Sequence, residues 1–129
     1  MSDKIIPEDV EKFILEKIES VAHMEALLIL RENPQQEWTA DSLATRLYIN
    51  ESQTAEILAR LSSDGFVAPS ENEANSYRYQ PASPELRHMI DRLADAYRKH
   101  LVPVANLIHS KPKPRVQEFA DAFRLRKDT

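Results

Sequence analysis

The chain has 129 residues, 42% of them hydrophobic and 29% charged, with a formal net charge of −4 and no cysteine. That length suits one domain with a modest core and one or two added elements, and the missing cysteines exclude disulfides, thiolate metal sites and cysteine nucleophiles. The single glycine, Gly65, excludes the glycine-rich loops that let a backbone approach a phosphate.

Pro7-Glu8-Asp9 opens a helix, because proline fits the first turn and acids there complement the helix dipole. Val10, Phe13, Ile14 and Ile18 then form one apolar stripe. Ser20 is placed to cap a second helix with Val21, Met24, Leu27 and Leu28 inward, ending at Asn33-Pro34. The stripe alone does not distinguish one helix from two over residues 7–32. Ala26 to Leu30, the longest apolar cluster, is far short of the ~20 residues of a membrane helix. With no basic-flanked apolar leader, a cytoplasmic protein without membrane attachment is expected.

Thr39, just after Trp38, is a good N-cap, and Leu43, Ala44 and Leu47 make the inner face of the helix it starts. Tyr48-Ile49 reads as a turn and Asn50 as the next cap, with Gln53 at the capping-box position. In that helix Thr54, Ile57, Leu58 and Leu61 point inward, which leaves Ser52, Gln53, Glu56 and Arg60 outside. Gly65 supplies the left-handed C-cap. Phe66-Val67-Ala68 and Tyr77-Arg78-Tyr79-Gln80, around the polar Glu71–Ser76 segment, read as a hairpin.

Ser83-Pro84-Glu85 begins a long helix with cap, proline and acid in the preferred order. Leu86, Ile90, Leu93, Tyr97, His100, Val104 and Leu107 follow at alternating spacings of four and three, a heptad seam that predicts a homodimer interface, with a kink or break at Pro103. Lys111-Pro112-Lys113-Pro114 reads as a linker. A last amphipathic helix carries Val116, Phe119, Ala120 and Phe123, with Arg124, Arg126 and Lys127 near its end. Residues 1–82 and 83–129 are thus expected to be a folded domain and a helical dimerisation extension.

Neither H-E-x-x-H nor G-x-S-x-G occurs, and the four histidines share no helical turn, so no enzyme, metal site or cofactor is expected. Charge is graded along the chain: residues 1–80 are acid-rich, and residues 81–129 hold ten bases against six acids. A polyanion would lean on that basic third.

The order helix, helix, turn, helix, two-stranded wing resembles the winged helix-turn-helix superfamily of small bacterial transcription regulators, over about residues 20–80. The resemblance rests on T-A-D-S-L-A-T-R-L, Y-I-N-E-S-Q-T-A-E-I-L-A-R-L and S-S-D-G-F-V. Thr39, Leu43, Ala44 and Leu47 match the helix before the turn, Asn50 the opening of the recognition helix, and Leu58 and Leu61 its core positions. Gly65-Phe66-Val67 matches the entry to the wing. The resemblance implies a mostly α fold with a small β-hairpin wing, extended by a long C-terminal helix and a short terminal helix. It further implies a DNA-binding transcriptional regulator acting as a homodimer on double-stranded DNA. Residues 50–64 would enter the major groove, and Arg46, Ser52, Gln53, Glu56, Arg60 and Arg78 would meet bases or phosphates. Against this, Glu51 and Glu56 on the reading face and Glu71-Asn72-Glu73 at the wing tip are acidic where relatives commonly carry bases. The alternative is a winged helix that binds a protein partner and no DNA.

Overall fold

The computed structural model describes residues 5–110. Six helices and three short strands follow in the order α1 (Glu8–Lys17), α2 (Val21–Glu32), β1 (Trp38–Thr39), α3 (Ala40–Leu47), α4 (Glu51–Ser63), β2 (Val67–Pro69), β3 (Ser76–Tyr79), α5 (Pro84–Lys99) and α6 (Leu101–Ser110). The molecule is mostly helical, with a small antiparallel sheet in the order β1-β3-β2. The linker and helix expected over residues 111–127 lie outside the described residues. Among those described, no helix is long and apolar enough to cross a membrane.

The starts of α2, α3, α4 and α5 are each set by a side chain that takes a free first-turn amide. The Ser20 hydroxyl accepts from His23 N at 3.0 Å, so residues 7–32 form two helices. Thr39 and Ser42 exchange bonds in a capping box, Asn50 Oδ1 accepts from Gln53 N at 2.6 Å, and Ser83 Oγ accepts from Leu86 N at 3.1 Å.

At the end of α4, Gly65 N donates to Ser62 O and Phe66 N to Leu61 O, which closes the helix with Gly65 at φ +80°. A β-carbon there would lie 3.3 Å from Ala82 Cβ. Gly65→Ala is therefore expected to cost about 1–2 kcal/mol, the left-handed penalty for an L side chain, read as a lower denaturant midpoint at unchanged slope. An unchanged midpoint would mean that the turn relaxes to another conformation.

Strand β1 was not expected. Trp38 and Thr39 pair with Tyr77 and Ser76, so β3 is the central strand and not one arm of a simple hairpin.

The heptad seam requires a correction. Ile90, Leu93 and Val104 are wholly buried and Tyr97 nearly so; Leu86 and Leu107 are half-buried against the same core. That core is the chain's own, continuous from Ile6 to Ile108, with α5 and α6 both packed on α1. The stripe expected between subunits is thus used inside one chain. Nor is it one long helix, for α5 ends at His100 (φ −135°, ψ 57°), three residues before the expected break. Restarting at Leu101 places Pro103 in the first turn of α6, where no helical donor is needed. His100 itself is half-exposed at that elbow.

Candidate functional site

Helices α3 and α4 are joined by Tyr48, Ile49 and Asn50. Tyr48 closes α3 in the left-handed region at φ 60°, ψ 39°, where glycine or asparagine is usual and other residues cost about 1–2 kcal/mol. Helix α4 buries Thr54, Ile57, Leu58 and Leu61, as its spacing implied. The Thr54 hydroxyl donates to Asn50 O at 2.9 Å, so this inward polar group is satisfied.

The opposite side of α4 brings together Glu51, Ser52, Gln53 and Glu56, all exposed. Three arginines were expected to join them, and each has a different fate. Arg46, at the end of α3, is exposed and holds its guanidinium 5.7 Å from the centre of the Trp38 ring. Arg78, on β3, is exposed and donates from Nη2 to Gln80 Oε1 at 3.1 Å.

Arg60 is turned away. Its Nη1 donates to Glu19, beyond the end of α1, and its Nε donates to Asp64 Oδ2 at 3.2 Å. Partial burial opposes its charge, but Glu19 and Asp64 outweigh that and raise its pKa. Lys17 Nζ lies 3.8 Å from Asp64, so two bases and two acids tie α4 to the end of α1. Arg60 is the only Lys or Arg in α4; its charge is already matched.

The wing adds acids. The turn between β2 and β3 is held by Ser70 Oγ, which accepts from Asn72 N at 3.0 Å and Glu73 N at 3.2 Å, and by Asn75 at φ 62°. Glu71 and Glu73 stand exposed at its tip. The exposed charges of α3, α4 and the β2–β3 arm are therefore Asp41, Glu51, Glu56, Glu71 and Glu73 against Arg46 and Arg78.

Tyr48 is the residue that sequence reasoning passed over. It is 93% exposed at the tip of the turn, beside the start of α4. The sequence holds a weak signal, since an aromatic in a turn falls outside the apolar period of both flanking helices. Elsewhere, Asp9 is held below the usual carboxylate range, first by its hydrogen bond from Arg92. Burial, and then Glu25, pushes the Tyr97 hydroxyl above its usual range. Among the described residues, no three His, Asp or Glu side chains are grouped to hold a metal ion.

In comparison with known proteins, no family model, no curated protein and no solved structure matches this chain.

Proposed function

We propose that the chain is a winged helix-turn-helix protein whose α4 face and wing bind another protein through a basic surface of that partner. The element order, with β1 completing a three-stranded sheet beside the α3–α4 pair, supports the winged-helix reading. The observation that carries the choice of partner is the engagement of Arg60 with Glu19 and Asp64. Lysine and arginine contacts to phosphate supply most of the non-specific affinity for DNA. With Arg60 matched, α4 offers a duplex only Glu51 and Glu56 as charges, whereas a basic protein surface finds complementary ones. Fold resemblance alone does not decide between these uses.

The second reading is a homodimeric DNA-binding regulator. It is favoured by Ser52 and Gln53, exposed on the first turn of α4, and by the exposed Arg46. Glutamine pairs with adenine through two hydrogen bonds, and Glu56 is able to accept from cytosine N4.

A titration of random-sequence duplex DNA at low and moderate salt separates the two. The protein-binding reading expects no salt-dependent association. An affinity falling with salt at roughly −0.9 per phosphate neutralised, and weakened by Arg46→Ala, would establish the DNA reading in its place. The double variant Glu51→Lys/Glu56→Lys supplies the converse arm. Under the protein-binding reading it gains DNA association that the wild type lacks, because the groove-shaped scaffold then carries the right sign of charge.

A further inference from the structure

Helices α2 and α5 leave a groove of about 670 Å³ between them. Side chains bridge it: Tyr97 OH donates to Glu25 Oε2 at 2.5 Å, and Arg31 Nε to Asp91 Oδ1 at 2.9 Å. Its lining includes the apolar Leu28, Ile29 and Ala94, with Leu101 from the start of α6. Its charges are mostly negative, Glu25, Glu32, Asp91 and Asp95 against Arg31 and Arg98. Both bases are already engaged, Arg31 by Asp91 and Arg98 by Asp95. Glu25 accepts from the neutral Tyr97 hydroxyl and Glu32 is exposed, so neither charge is answered by a base among the described residues.

We infer that this groove is the seat of the chain's own C-terminal segment, residues 111–129, with Val116, Phe119 and Phe123 laid on Leu28, Ile29 and Ala94. Three observations select this occupant. First, the segment carries the charge that the groove lacks: six bases (Lys111, Lys113, Arg115, Arg124, Arg126 and Lys127) against three acids (Glu118, Asp121 and Asp128). Complementary charge of this kind selects the partner and its register. Second, Val116, Phe119 and Phe123 recur at spacings of three and four, the pattern with which an amphipathic stretch lays one face into a groove. Third, the reach is right. Helix α6 runs from Leu101 to Ser110, about 15 Å at helical rise. Lys111-Pro112-Lys113-Pro114-Arg115 covers about 15 Å in the extended form that proline favours, so Val116 is able to return to the Leu101 end of the groove. A tether this short sets an effective concentration on the order of millimolar, with which any separate basic partner would have to compete. The basic C-terminal third then answers acids of its own chain, whichever partner the α4 face takes.

The test uses the full chain, in which the absence of native cysteine permits a single label. A nitroxide on Asp121→Cys, off the apolar positions of the segment, is expected to broaden the methyl signals of Leu28 and Ile29. Adding Phe119→Ser/Phe123→Ser should abolish that broadening while the methyl signals of the core residues Leu30 and Ile90 stay in place. Trypsin supplies a second readout. Cleavage after Arg115 is expected to be about tenfold slower in the wild type than in Phe119→Ser/Phe123→Ser, since proteolysis follows the open population. Glu25→Gln/Glu32→Gln, which keeps an acceptor for Tyr97 but removes both charges, should also speed cleavage, by a smaller factor. Absence of broadening, or a cleavage rate unchanged by either double variant, overturns the proposal. Broadening that arises only when nitroxide-bearing chains are mixed with isotope-labelled ones overturns it as well, because the segment then lies on a second copy.

Discussion

Replacing Leu93 with aspartate is expected to unfold the protein. Had the α5 stripe lain between subunits, the same change would have given folded monomers. But Leu93 is 0% exposed within a single chain, on the face of α5 that also buries Ile90 and Ala96. The substitution removes a buried leucine, worth about 2–5 kcal/mol even as Leu→Ala. It adds a carboxylate with no partner, whose desolvation costs several kcal/mol more. The sum rivals the roughly 5–15 kcal/mol that holds a domain of this kind together. Far-UV circular dichroism should show loss of most helical signal at ambient temperature, and Leu93→Ala should remain folded with a lowered midpoint. A folded, monomeric Leu93→Asp chain of near-native stability would show that α5 does not lie on the core.

Trp38→Ala is expected to cost about 3–5 kcal/mol, the range for removing a large buried aromatic. Trp38 is 2% exposed, pairs across from Tyr77, and carries Arg46 over its ring. Its loss opens a cavity where β1, β3 and α3 meet and frees the only strand ahead of α3 among the described residues. Trp38 Nε1 is buried without a hydrogen-bond partner in the protein, so Trp38→Phe discards a polar group that is not satisfied there and should cost much less than Trp38→Ala. Chemical denaturation followed by circular dichroism measures both, since fluorescence disappears with the chain's sole tryptophan. Equal destabilisation by the two substitutions would mean that the indole nitrogen contributes after all.

What the sequence disclosed was local, and it was disclosed by local chemistry. Ser20, Thr39, Asn50 and Ser83 each start a helix with a bond spanning three residues, and Gly65 ends one through its own backbone freedom. Such signals are written in short windows. The apolar period of α5 was equally plain, but a period tells only that a stripe is buried, not what buries it. Here α1 reaches it from far along the chain, Asp9 meeting Arg92 at a separation of 83 positions. Strand β1 was missed because two residues are too few to show alternation; Trp38 becomes a strand residue only because β3 passes beside it. The face of α4 was placed correctly by the spacing of Thr54, Ile57, Leu58 and Leu61. Its charge was not, since Arg60 is matched by Glu19, forty-one positions earlier, and no window around Arg60 contains that acid.

The packing of α6 on α1 also sets a schedule. A chain emerges from the ribosome with its N-terminus first, and domains generally fold as they are completed. Here Val10, Ile14 and Ile18 are among the first apolar residues to appear, while Val104 and Ile108, which share their core, are among the last of the described chain. The central α2–α3–α4 and sheet assembly is able to gather while synthesis continues, and Phe13 of α1 can join it by packing on Phe66, but the part of α1 that packs on α5 and α6 waits for partners not yet made. During that interval this part stays open to solvent and to other chains. The final step of folding is therefore one of closure, in which the two ends of the described chain meet.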